Sequence, residues 1–244
     1  MPSNSQTPPR ANGPTIAIDG PVASGKSSVG RAVAQRLHLR FLDTGIMYRA
    51  VTWLALRRGI SIMDAGAVEK LATDCAMAVD YSGSESAAII IDGHGLSQEL
   101  AAAEVDRSVS AVAALSGVRQ SLVEQQRSIG AAGSIVMVGR DIGSVVLPNA
   151  DVKLYIDASA AERARRRWRQ QLKTDPTADY RKTLADTIRR DELDSQRSDS
   201  PLTVADGALV INTDGNEFLD TVSIVVATVC HATGLTLQPA ASEQ

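Results

Sequence analysis

The 244-residue sequence predicts an α/β fold: a parallel sheet with helices on both faces, plus a small antiparallel insert and a helical lid. Three observations carry that expectation. Five short apolar runs alternate with segments of helical spacing, as in a doubly wound sheet. The first run leads into Gly20-Pro21-Val22-Ala23-Ser24-Gly25-Lys26-Ser27, which meets G-x-x-x-x-G-K-[ST] at every fixed position. The alternation breaks once, between residues 62 and 105, where two apolar runs meet an Asp-Gly pair.

Residues 1–13 are rich in Pro, Ser and Asn and lack an apolar stretch, so they read as a disordered tail and not as a secretion signal. The core is expected over 14–61, 106–162 and 198–237. Its strands are Thr15–Ile18, Arg40–Leu42, Ser134–Val138, Val152–Ile156 and Ala208–Ile211. After the glycine loop, Val29, Val33 and Leu37 have helical spacing. A second helix runs from Asp43-Thr44 to Arg58. The insert, 62–105, opens with a helix-like stretch. It continues with Ala76–Asp80 and Ala87–Ile91, turns at Asp92-Gly93 and ends in a short helix. Residues 163–197 form the lid, and 238–244 a second loose tail.

Composition narrows the function. Hydrophobic residues make up 44 % of the chain but aromatics only 3 %, so the core is built from Ala, Val, Leu and Ile. Val222 to Cys230 is the best apolar run and is far too short to span a membrane. Cys75 and Cys230 form no C-x-x-C motif and are expected to be reduced and buried in a cytoplasmic protein. His38, His94 and His231 are scattered and suggest no metal cluster. The net charge is −3, yet residues 163–197 carry +5 and the remainder −8. Of the 25 basic residues 20 are Arg, the side chain suited to forked phosphate recognition. The basic segment has one Trp and one Tyr, without the aromatic interleaving of a nucleic-acid surface. A solvated helix face explains such a stretch equally well, and a small anionic ligand is the alternative.

The motifs specify that ligand. A strand, glycine loop and helix turn backbone N–H groups and a helix N-terminus toward phosphates. Lys26 is placed to reach the β- and γ-phosphates, and the Ser27 hydroxyl to ligate Mg²⁺. Asp92-Gly93-His94-Gly95 fits the D-x-x-G of switch GTPases, but the chain lacks N-K-x-D, so a turn is the better reading. In Asp43-Thr44-Gly45-Ile46-Met47-Tyr48-Arg49, Asp43 or Thr44 caps the following helix, or Thr44 and Arg49 grip a second phosphate. Gly139-Arg140-Asp141 ends the third strand. Asp141 is a Walker-B acid, a surface turn residue, or an acceptor for a donor such as the N4 amino group of cytosine. Glu162 to Arg169 begins a helix, and Arg189 to Arg197 is dense in both signs. Arg190, Asp194 and Arg197 fall at i, i+4 and i+7, either as salt bridges or as a lid face directed at a transferring phosphoryl group. No convincing general base is present. A nucleoside monophosphate needs none, because its second pKa is about 6 and the dianion is already nucleophilic.

Together the motifs resemble the bacterial-type cytidylate kinases, a branch of the nucleoside monophosphate kinases with a P-loop NTPase-like core. The resemblance runs from about Thr15 to Gly215. It rests on Ile18-Asp19-Gly20-Pro21, the D-T-G-x-x-Y-R run at Asp43, Gly139-Arg140-Asp141-Ile142-Gly143, and Arg190 to Arg197 followed by Ser200-Pro201-Leu202. It implies phosphorylation of CMP and dCMP by ATP with Mg²⁺, in a cytoplasmic monomer whose insert and lid close over the substrates. It implies that Gly20 to Ser28 bind ATP, and that Ser110, Arg119 and Asp141 contact cytosine. Arg190 and Asp194 would contact the sugar, with Thr44 and Tyr48 beside the substrate. Arg49, Arg140 and Arg197 would grip the substrate phosphate. Lys26, Arg140, Arg163, Arg166, Arg167 and Arg197 would act on the transferring group. The chain departs from the family pattern at Ser27-Ser28 and at Leu100-Ala101, where Ile-Arg is expected.

Overall fold

The computed structural model describes residues 13–81, 87–197 and 199–236. The expected tails, 1–13 and 238–244, lie outside the described residues except for Gly13. Five parallel strands form the main sheet: β1 (Thr15–Asp19), β2 (Arg40–Asp43), β6 (Ile135–Gly139), β7 (Val152–Asp157) and β8 (Leu209–Asn212). Their order is β2-β6-β1-β7-β8. The pairings Asp19 with Gly139, Asp43 with Val138 and Asp157 with Asn212 align the C-terminal strand ends along one rim. Ligands bind at that rim in such sheets.

Strand alternation sends side chains to two cores. Ile16, Ile18, Val136, Val138, Leu154 and Ile156 pack with α1 (Lys26–Leu37) and α8 (Phe218–Thr233) on one face. Ala17, Leu42, Ile135 and Met137 face α2 (Gly45–Arg57), α3 (Ala65–Asp74) and α5 (Ser116–Ala131) on the other. Burial of each large aliphatic side chain contributes about 1.5–3 kcal/mol. A Cβ on Gly30 would meet Val138 Cγ1 at 2.6 Å, so glycine lets α1 seat closely on β6 and fixes the height of the phosphate loop.

The insert is a three-stranded antiparallel sheet in the order β3 (Met77–Asp80), β4 (Ala88–Ile91), β5 (His94–Leu96). Asp92 and Gly93 take φ of 51° and 79°, the left-handed pair of a tight hairpin, as the Asp-Gly spacing predicts. The expected helix after the hairpin is a single 3₁₀ turn, Gln98–Ala101. Ile89, Ile91 and Leu96 share one hydrophobic cluster with Met47 and Leu54 of α2.

Where a lid is expected, α6 (Ala160–Gln171) and α7 (Tyr180–Ser195) pack together, each with a side-chain N-cap. Ser159 accepts from the Glu162 amide at 3.2 Å, and Asp179 from the Lys182 amide at 2.7 Å. The spacing places Arg197 on the face of α7, but the helix ends at Ser195 and Arg197 lies just beyond it. There the Leu202 amide returns to the Asp194 carbonyl at 2.8 Å. Cys75 is buried as expected, whereas Cys230 is only half-buried on α8. Among the described residues no helix is long and apolar enough to cross a membrane, and no group of acidic, Cys or His side chains forms a metal cluster.

Candidate active site

The phosphate loop leaves β1 at Asp19 and enters α1 at Lys26. Gly20 has φ of +151°, and a Cβ there would lie 2.1 Å from the Ile156 carbonyl oxygen, so only glycine fits. Ala23 also takes a left-handed conformation, with φ of 59°, which turns successive amides inward as in an anion nest. Gly25 is the N-cap of α1 and offers no side-chain cap, leaving the first helical N–H groups for a ligand. Lys26 is buried, and its ammonium donates to the Pro21 carbonyl at 3.0 Å. Burial, then the nearby Arg140 charge, pushes its pKa well below the ordinary lysine value. A bound phosphate would reverse that shift by supplying the missing anion.

Ser27 donates to Asp43 Oδ2 at 2.6 Å. Asp43 Oδ1 accepts from the Gly45 amide at 3.0 Å, so Asp43 rather than Thr44 supports the start of α2. Thr44 instead donates to the Val138 carbonyl at 3.0 Å, which pins α2 to β6. A hydroxyl and a carboxylate oxygen side by side, next to a phosphate cradle, suit Mg²⁺, a hard cation that takes one or two protein ligands and completes its shell from phosphates and water. The carboxylate beside Ser27 is Asp43. The Asp141 carboxylate pairs instead with Arg119.

A cleft of about 210 Å³ opens beside the loop. Among the described residues seven cationic side chains line it (Lys26, Arg49, Arg119, Arg140, Arg167, Arg190 and Arg197) against the carboxylates of Asp43, Asp141 and Asp194. This excess of positive charge, in a chain of net charge −3, marks a site for anions. Thr44, Tyr48 and Ser110 complete the wall named by the sequence.

In the same cleft Arg119 of α5 pairs with Asp141, and its guanidinium lies 5.7 Å from the centroid of the Tyr48 ring. Both partners are buried, and burial raises the Tyr48 pKa to about 12. Nearer the lid, Arg140 donates to Asp194 at 2.7 Å. Burial pushes the Asp194 carboxyl up, but the charge and hydrogen bond of Arg140 outweigh it and hold the pKa below the usual value. Burial, reinforced by Arg140, lowers Arg190 to about 10, and burial lowers Arg197 as well.

The structure does not bring every expected residue to the cleft. Arg163 holds Asp191 by two bonds of 2.9 and 2.6 Å and the carbonyls of Ala158 and Val22 at 2.8 and 3.2 Å. Arg166 bonds the Ser24 carbonyl at 3.2 Å and Thr213 at 3.0 and 2.7 Å. Both therefore fasten α6 to the carbonyl side of the phosphate loop, while Arg167 lines the cleft. Ser28 is exposed on α1.

Sequence reasoning gave no role to Asp19. Its buried carboxylate accepts from the amides of Ile142 and Gly143, each at 2.7 Å. It thereby holds the π-helical turn Ile142–Val146 that follows Arg140-Asp141. Burial raises its pKa to about 6 against the lowering effect of those bonds. The sequence likewise leaves Asp106 and Thr213 unmarked, because a lone acid or hydroxyl carries no spacing signal, and gives Asp191, inside the Arg189–Arg197 run, no role of its own.

A family model described as cytidylate kinase matches residues 16–231. The cytidylate kinase of Rhodococcus jostii (strain RHA1) is 43 % identical over 90 % of this chain and 96 % of its own length. The chain belongs to the cytidylate kinase family. Another member of the family, the cytidylate kinase of Bacillus licheniformis, is 42 % identical over 81 % of this chain and 88 % of that protein. The bifunctional pantoate ligase/cytidylate kinase of Synechococcus sp. (strain JA-2-3B'a(2-13)) is 47 % identical over 87 % of this chain, which spans only 39 % of that longer protein.

Proposed function

We propose that this cytidylate kinase family member transfers the γ-phosphoryl group of ATP to the phosphate of CMP or dCMP. The observation that carries the reading is a single cleft with an unlike lining. One part of the lining is the phosphate loop with Lys26. Another part of the lining is the buried Arg119–Asp141 pair, and five further arginines line the same cleft.

The loop amides and Lys26 bind the triphosphate of ATP. Ser27 and Asp43 would hold Mg²⁺, which supplies charge neutralisation at the β- and γ-phosphates. Arg49, Arg140 and Arg197 take the acceptor phosphate, with Arg190 and Asp194 at the sugar. Asp141 accepts from the cytosine amino group and is oriented by Arg119. Uracil would place a carbonyl oxygen against the same carboxylate. Phosphates aligned in this way react without a protein base, since the acceptor is a dianion near pH 7. Arg167 neutralises charge from the lid side, and Arg163 and Arg166 hold the lid to the loop. On this reading the enzyme acts as a cytoplasmic monomer.

The test is an acceptor panel of CMP, dCMP, UMP, AMP and shikimate with ATP and Mg²⁺, read by coupled ADP production. Turnover should be highest with CMP and dCMP. Turnover with shikimate and none with CMP would replace this reading with another small-acceptor kinase.

A further inference from the structure

Asp106 lies in the first turn of α4 (Ala103–Val112) and belongs to none of the phosphate-binding motifs. Arginines from three other helices meet its carboxylate. Arg49 of α2 donates to Oδ1 at 2.6 Å, Arg167 of α6 donates to Oδ2 at 2.7 Å, and Arg190 of α7 approaches to 3.9 Å. All three arginines line the nucleotide cleft, whereas Asp106 lines the adjoining cavity beneath the lid helices. Without an anion, three guanidiniums this close would repel one another. The Asp106 carboxylate offsets part of that repulsion, with Asp194 also acting on Arg190.

We propose that Asp106 is an internal counter-anion that holds the lid arginines Arg167 and Arg190 beside Arg49 in the substrate-free protein, and that the acceptor phosphate takes its place. Asp106 is thus a positioning residue, and the inference rests on the functional reading above. Burial pushes its carboxyl up, but the Arg49 hydrogen bond and the charges of Arg167 and Arg49 outweigh this, so Asp106 is ionised at neutral pH. A phosphate monoester carries close to two negative charges and three strong acceptors, against one charge and two oxygens for the carboxylate. It can therefore draw Arg49 and Arg190 away. The exchange has two consequences. The lid is tethered before substrate arrives, and part of the phosphate's binding free energy goes into displacing Asp106.

Asp106→Asn and Asp106→Ser remove the charge, and Asp106→Glu keeps it. Hydrogen exchange across residues 160–195 in nucleotide-free protein should speed up about threefold or more in Asn and Ser, the scale of losing a partly exposed ion pair. KM for CMP should fall about three- to tenfold in the same variants, with KM for ATP nearly unmoved and kcat not raised. Asp106→Glu should restore both values toward the parent. A purely structural acid would not lower KM for CMP. Unchanged lid exchange in both uncharged variants, or a KM for CMP that stays level or rises, overturns the proposal. If the parent shows no transfer to CMP, the functional reading has failed. The nucleotide-free exchange comparison still decides whether Asp106 tethers the lid.

Discussion

Replacing Asp141 by Asn tests base recognition directly. Asp141 is 5 % exposed and its partner Arg119 4 %, so the pair is screened from solvent. Asn keeps the size and one acceptor oxygen but loses the charge and gains an N–H donor. A hydrogen bond to a charged group is worth about 1.5–3 kcal/mol and a neutral one about 0.5–1.5. The loss for cytosine is therefore roughly 1–2 kcal/mol, or about 5- to 30-fold in kcat/KM for CMP. For UMP the new donor faces the O4 carbonyl, so its kcat/KM should hold or rise. The CMP to UMP ratio should narrow by about tenfold or more. Deleting one partner of a buried pair outright costs about 3–5 kcal/mol. The retained amide oxygen still accepts from Arg119, so the variant should fold with a lowered Tm. The assay is coupled ADP release with each acceptor well below that Tm, with ATP affinity as the control. An equal fall for CMP and UMP would deny Asp141 a part in base recognition and place it in the fold alone.

Other residues give further expectations. Lys26→Ala should fold and lose about a hundredfold or more in kcat, since preorganised charge at a transferring phosphoryl group is worth several kcal/mol; near-parental kcat would remove Lys26 from the mechanism. Asp194→Ala should lose activity with CMP, because Arg140 loses its partner, while ATP affinity stays at the parental value by equilibrium titration; parental turnover with CMP would deny Asp194 a place at the substrate. Asp19 gives a pH dependence. Its folded pKa, about 6, lies above the ordinary 3.8, so its stabilising contribution is full below about pH 4 and is lost as pH rises through 6. Denaturant unfolding from pH 4 to 7 should show the parent losing of order 3 kcal/mol relative to Asp19→Asn as pH rises. A difference that is flat across this range would contradict a buried, raised carboxyl.

The main sheet was legible because buried parallel strands are apolar runs bounded by loops. Each expected core strand starts and ends within one residue of β1, β2, β6, β7 and β8. The third insert strand, His94-Gly95-Leu96, was not, since three residues with a central glycine show no alternation. The π-helical turn at Ile142 was hidden because Asp19, 123 positions away in sequence, holds it. Glycine and arginine motifs located the cleft residues, but which arginine enters the cleft depends on distant partners. Asp191 turns Arg163 aside and Thr213 holds Arg166, and neither partner lies in the motif it restrains. The same holds for Asp106, whose meaning appears only where α2, α4, α6 and α7 meet.

In the proposed reaction the acceptor atom is a phosphate oxygen of CMP, reached directly by the γ-phosphoryl group of ATP. Phosphorus NMR of the protein with CMP, ATP and Mg²⁺ reads this without a coupling enzyme. The CDP and ADP signals should grow in equal amounts as CMP and ATP decline. ATP loss accompanied only by inorganic phosphate, or a new phosphate ester on the sugar with no CDP, would contradict that reaction.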